Sequence, residues 1–185
     1  NDLTIRTQRF EASFPTSGSL GGGKFVIVVA EPDDCKLQMN VVYSSDRTGY
    51  RVPQWSEHKN GALTWRHVYC VIPDDDFDAV NSFFADAHRL LPRWVGNGRT
   101  TFDPGQVRVH LMSISSMAYQ FPHVGYANAG YAHIAGFGIE VTSINKLEKL
   151  LSERGVAFHL DEGTITVGPS ETAGSVIVFS EDRQA

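Results

Sequence analysis

The stretch HVYCVIPDDDFDAVNSFF, residues 67–84, decides the fold. His67 to Ile72 is an apolar run rich in β-branched and aromatic side chains, which reads as a buried strand. Pro73 and the aspartates Asp74, Asp75 and Asp76 end it and open a helix, since proline suits the first helical turn and carboxylates favour its partial positive charge. Phe77, Val80, Phe83, Phe84, Ala87 and Leu91 then recur at helical spacing. The aspartates are expected to cap the helix and compensate its dipole, because three consecutive carboxylates splay apart and chelate poorly. His67 opens the strand and allows two readings: a metal ligand or catalytic base, or the first residue of a core strand.

A second strand–helix unit follows. A Gly-rich loop over 96–105 leads to the strand QVRVHLMSI, and FPHVGYANAGYAHIAG (121–136) is a connection. FGIEV is a strand, and Ser143 is a good N-cap for the helix INKLEKLLSER, whose apolar stripe is Ile144, Leu147, Leu150 and Leu151. Gly155 is placed to end it. VAFHLDEG, TITVG and GSVIVFSE are three further strands. Ile72 and Val141 both end a first strand, and Gly105 and Gly174 both open a last one; both pairs are 69 residues apart. A shared offset at two landmarks indicates a duplicated βαβββ unit. One such unit leaves an apolar sheet face unburied, so two are expected to pair.

Upstream, KFVIVVA (24–30) and LQMNVVY (37–43) read as strands, and SGSLGGG (17–23) as a flexible turn or loop. Residues 44–63 are polar, include Pro53 and Gly61, and mark the boundary between structural units.

The 185 residues are 42% hydrophobic and carry a formal charge of -5, with no Lys/Arg cluster, so nucleic acid is not an expected partner. No run approaches the roughly 20 apolar residues of a membrane span, and no signal peptide is visible. Cys35 and Cys70 each sit in or beside an apolar run without a CxxC partner, as expected of buried, reduced thiols in a cytoplasmic protein. Cys70 is three residues from His67, which on a strand puts the two on opposite faces. There is no GxSxG, P-loop, HExxH or GxGxxG; GSLGGGK (18–24) lacks the Gly-Lys-Ser/Thr ending and a preceding strand.

Residues 136–181, from GFGIEV through RGV after the helix to AG before the last strand, resemble the closing βαβββ module of the vicinal oxygen chelate superfamily, the glyoxalase/bleomycin-resistance fold. HKNGAL (58–63) is similar to a turn that leads into the next module in that group, and DRTGYRVPQWSEHKNGA to its approach. The resemblance covers most of 24–181 and implies an α+β fold of paired βαβββ modules forming incomplete barrel-like sheets. It divides the chain into 1–50, the second half of an earlier module whose N-terminal part is expected to be missing; 51–63, a connection; and 64–181, a module pair (64–115 and 134–181).

The metal-using members of that superfamily hold one divalent ion with His, Gln or Glu from the first and last strand of each module. Those positions fall on His67, Val109, Gly136 and Val178, so one of four carries a ligand type. His110 joins His67 only if a β-bulge turns it to the other face. Two imidazoles without a carboxylate make a poor catalytic metal site, so no metal is favoured, and a divalent metal is the alternative. His123, Tyr126 and His133, with Tyr119 and Tyr131, are candidate ligand-pocket residues alongside His67 and His110. His88 and His159 read as solvated, His58 as structural, and Trp55, Trp65 and Trp94 as packing residues. The expected function is binding of a small oxygenated or aromatic molecule in the barrel cavity without metal. The alternative that the resemblance implies is a metal-dependent lyase, isomerase or ring-cleaving dioxygenase; a homodimer is consistent with either.

Overall fold

The computed structural model describes residues 3–16, 19–32, 39–44, 58–125 and 130–181. The chain forms two compact units, Asn1–Glu57 and His58–Ala185. In the first unit, β1 (Leu3–Thr16) and β2 (Ser19–Pro32) pair antiparallel over their full length, and β3 (Met39–Ser44) pairs with β2. The expected strands are present. Of the loop expected over 17–23, Ser19 to Gly23 instead continue β2 and pair with residues of β1. Glycines can extend a strand when the partner strand supplies the ladder of hydrogen bonds. Cys35 and Trp55 lie outside the described residues.

Among its described residues, the second unit is one eight-stranded mixed sheet with three α-helices. Its strands are β4 (Ala62–Ile72), β5 (Trp94–Gly96), β6 (Arg99–Phe102), β7 (Arg108–Ser113), β8 (His133–Val141), β9 (His159–Asp161), β10 (Thr164–Val167) and β11 (Val176–Glu181). Helix α1 is Phe77–His88, α2 is Ile114–Gln120 and α3 is Ile144–Glu153. The sheet order is β5-β6-β7-β4-β8-β11-β10-β9. The first strands of the two modules, β4 and β8, pair antiparallel at the centre, and each module's last strand lies parallel to its first. The order is therefore a mirror-like repeat of one βαβββ unit. Among the described residues no helix is long and apolar enough to cross a membrane.

Three packing layers hold this unit together. Phe84 of α1 meets Phe102 with ring centroids 5.0 Å apart. Ile144 and Leu147 of α3 pack on Val141, Ile165, Val167 and Phe179. On the opposite, inner face, Met117 of α2 is buried against Tyr69, Val71, Met112, Ala135 and Val176. Each fully buried aliphatic side chain of these layers contributes roughly 1.5–3 kcal/mol.

Several local expectations are corrected. β4 starts at Ala62, not His67, because Ala62 to Trp65 pair with Val141, Glu140 and Ile139 of β8. Asp74–Asp76 form a single 3-10 turn with no side-chain cap; Asp74 Oδ1 instead accepts from the Ser115 amide at 3.4 Å, in the first turn of α2. Leu91 is 90% exposed because the helix stops at His88, where Arg89 adopts φ 51°. The Gly-rich loop is a tight hairpin between β5 and β6, with Asn97 and Gly98 both at positive φ. Helix α2 was not foreseen; Ser113 caps it, its hydroxyl accepting from the Ser116 amide at 3.1 Å. Residues 133–136, placed in the connection, belong to β8.

The N-terminus of α3 has two caps. The Ser143 hydroxyl accepts from the Lys146 amide, and the Glu181 carboxylate accepts from the Ile144 amide at 2.7 Å. Glu181 lies at the end of β11, so it ties the last strand to the helix. Glu181→Ala is expected to cost about 1 kcal/mol in chemical denaturation, the usual value of a lost cap with its dipole contribution. An unchanged midpoint would show that Ser143 suffices alone.

Candidate functional site

The site is built on the inner face of the sheet. β4 and β7 pair in unbroken register, from His67 opposite Arg108 to Ile72 opposite Ser113. His67, Tyr69, His110 and Met112 therefore share one face by strand alternation alone. No bulge in β7 is needed to turn His110 inward; the irregularities lie between β4 and β8 instead.

The repeat alignment is corrected at the same point. His67 pairs with Arg108 in the first module, and Gly136 with Val176 in the second. The last strands are thus offset by 68 residues, while the first strands keep 69. The second module has one residue fewer between its glycine and its strand. The counterpart of Val178 is His110, not Val109.

Thr101, His110 and His67 form a chain of hydrogen bonds. Thr101 Oγ1 lies 2.9 Å from His110 Nδ1, and His110 Nε2 lies 2.8 Å from His67 Nδ1. Each neutral imidazole has one donor and one acceptor nitrogen, so the chain runs in one of two directions. In one, His67 Nε2 is an acceptor; in the other it is a donor. Such a pair can take or give a proton at that atom. Burial pushes His110 down to about 3, with the neighbouring His67, Arg99 and Arg108 adding to the shift. Burial also lowers His67, helped by Arg108 and opposed by Glu140. Both rings are therefore neutral at physiological pH. Tyr69 stacks on His110 at 5.1 Å, and burial raises its phenol to about 12. Gly138 lies opposite His67, and a Cβ there would approach the His67 ring to within 2.8 Å.

These residues do not suit a divalent metal. Two nitrogens on one tetrahedral ion at ~2.0–2.1 Å would stand roughly 3.3 Å apart. The facing nitrogens of His67 and His110 are closer and bonded to each other. The matching positions in the second module are Gly136 and Val178. Among the described residues no group of three His, Cys, Asp or Glu side chains is arranged to hold an ion.

Beside this chain lies a cavity of about 570 Å³. Tyr69 and Val178 form its floor on the sheet, Thr164 and Thr166 one wall, and Tyr119 to Val124 another. His123 from that segment packs on His159 of β9, with ring centroids 4.1 Å apart, at the rim beside Asp161 and Glu162. His159 was expected to be solvated; its contact with His123 was beyond reach of sequence spacing. His133 does not line this cavity: its Nδ1 lies 2.7 Å from the Tyr131 carbonyl, and the two ring centroids are 5.2 Å apart with the rings tilted at 54°. Tyr126 lies outside the described residues. His58 supplies the carbonyl that accepts from the Gly61 amide in the turn before β4. Arg99, not singled out from sequence, stands on the inner face with its guanidinium over Trp94 and one hydrogen bond to Gln120. The Asn-Gly dipeptide that sets its hairpin was the available signal.

No protein-family model matches the sequence, and no curated protein matches it closely. Among solved structures, a hypothetical protein from Staphylococcus aureus superposes with TM-score 0.60 and 6% identity, over 97% of this chain and 57% of that one. A methylmalonyl-CoA epimerase from Mycobacterium tuberculosis gives TM-score 0.47 and 14% identity, over 68% of this chain and 91% of that one. At these identities the likeness concerns the fold. The second unit shows the expected α+β fold of two βαβββ modules, joined through their antiparallel first strands.

Proposed function

We propose that the chain binds a small oxygenated aromatic molecule in the inner-face cavity, by shape and hydrogen bonding, without a metal at His67 and His110. The cavity itself carries this reading. Its volume lies within the range of small-molecule sites, and its lining combines aromatic and aliphatic walls with a few hydroxyl and imidazole groups. The Tyr69 phenol, kept neutral by burial, is a hydrogen-bond donor for a ligand oxygen. Of the candidate ligand residues, His123 touches the cavity directly, and His67 and His110 support it from behind Tyr69.

Two further assignments accompany this reading. Residues 1–50 are the closing strands of an earlier module, a role to which the β1-β2-β3 meander is suited. A buried, unpaired Cys70 fits a reducing compartment such as the cytoplasm.

Val178→Phe should fill the floor of the cavity while keeping its apolar character. In ligand-detected NMR, phenolic and aryl-ketone probes are expected to bind the wild-type chain and to lose at least tenfold in affinity in this variant. Equal binding by both proteins would place the ligand elsewhere.

A further inference from the structure

We propose that the cavity takes a ligand carrying a single carboxylate, with the Arg99 guanidinium as its counter-charge; this names the ligand class of the site just described and rests on that reading. Arg99 follows the Asn97-Gly98 turn and stands in register with Met112, on the face that holds Thr101 and His110. Its guanidinium lies 4.5 Å from the Trp94 ring centroid, and Nη1 donates to Gln120 Oε1 at 2.7 Å. Gln120 lines the cavity, so Arg99 is one side chain behind its wall.

Arg99 differs from the other arginines near it. Arg66 pairs with Glu140 at 2.8 Å, and Arg93 and Arg108 share Asp103 at 2.8 and 3.7 Å. Arg99 has no carboxylate within ion-pair distance among the described residues, and its buried Nε has no hydrogen-bond partner there. A half-buried guanidinium met only by a neutral amide and a ring is incompletely compensated. A carboxylate is the group that matches its fork with two parallel bonds, each roughly twice as strong as a neutral one. The positive field of Arg99 also reaches the Tyr69 phenol, which lines the cavity. A carboxylate near Gln120 would thus meet Arg99 and find the Tyr69 hydroxyl close by.

The charge at the rim limits how negative the ligand is. Asp161 and Glu162 border the same cavity and repel a dianion. One carboxylate on an aromatic body satisfies both ends. A hydroxyl or amine at the far end would find Thr164, Thr166 or the acidic rim.

The test uses the full chain with para-hydroxyphenylacetate and its primary amide, which share shape and differ in charge. Titrations followed by NMR should show the carboxylate binding at least tenfold tighter than the amide. Arg99→Gln should bring the two probes to equal affinity. Gln120→Ala removes the present acceptor of Arg99 from the cavity wall, and should raise the ratio of carboxylate to amide affinity a few-fold. This second variant decides the matter if Arg99→Gln fails to fold. Equal affinity for the two probes, unaffected by Gln120→Ala, would overturn the carboxylate assignment and leave the cavity reading intact. Binding of neither probe at millimolar concentration would overturn both.

Discussion

Gly136→Ala is expected to destabilise the second unit by about 3 kcal/mol, lowering its melting temperature by roughly 6–12 °C in thermal unfolding followed by circular dichroism. Gly136 lies in the central strand β8, in register with Tyr69 on one side and Val176 on the other. A Cβ at this position would collide with the Val176 carbonyl. The obstacle is backbone within the parallel ladder, so it cannot rotate away, and the cost lies at the upper end for an inserted methyl group. Gly138 is a useful contrast. Its added Cβ would meet the His67 Cβ at 2.7 Å and the His67 ring. The ring can rotate away but the His67 Cβ is fixed to the backbone, so Gly138→Ala also strains the pairing of β4 with β8 and separates His67 from His110. A wild-type melting temperature for Gly136→Ala would mean that β8 and β11 are further apart than described. The expectation also changes the meaning of this glycine. At the position where the sequence resemblance implies a metal ligand, close approach of two strands requires the absence of a side chain.

The duplicated architecture was legible because strand ends and helix starts are written locally. Ile72 and Val141 end their strands as the shared offset requires, and Ser143 caps α3 as its position before an apolar stripe suggests. The last strands were misaligned by one residue because Gly105 and Gly174 lie in loops. Loop residues do not set register; the parallel ladder does, and it places His110 opposite Tyr69. A one-residue slip reverses every side chain of a strand, so an alignment on the two glycines turns His110 outward and calls for a bulge that the true register makes unnecessary. The Asn97-Gly98 pair inside the Gly-rich loop is a recognisable hairpin signal. The cavity was the least legible feature. It joins His123, from a connection, to His159 and Thr164, more than thirty residues later, and no periodicity reports such a meeting.

Acidification from pH 7.5 to pH 5 should remove about 2 kcal/mol of stability through His110 alone, because a group whose pKa is depressed on folding costs up to ~1.4 kcal/mol per pH unit below its unfolded value. The unfolded imidazole titrates near 6.5, whereas burial holds it at about 3 in the folded chain. Between these values the unfolded chain binds the extra proton. The contribution is therefore fully present above pH 6.5 and is lost as pH falls, levelling off only near 3. His67 is shifted in the same direction and adds to the loss. Carboxylates titrate mainly below pH 5, so the window above it reports on imidazoles. Urea denaturation at half-unit steps measures the slope. His110→Gln retains an amide able to bond Thr101 and should lose roughly 1–3 kcal/mol at pH 7.5, but its stability should fall less steeply with acid than that of the wild type. Parallel pH profiles for the two proteins would show that His110 is not buried neutral. The same profile bears on the site, since a second charge on the His67–His110 pair would break their 2.8 Å contact. The Tyr69 ring, stacked at 5.1 Å on His110, would lose its support on the cavity floor with it. Ligand affinity is thereby expected to weaken over the pH range in which the fold loosens.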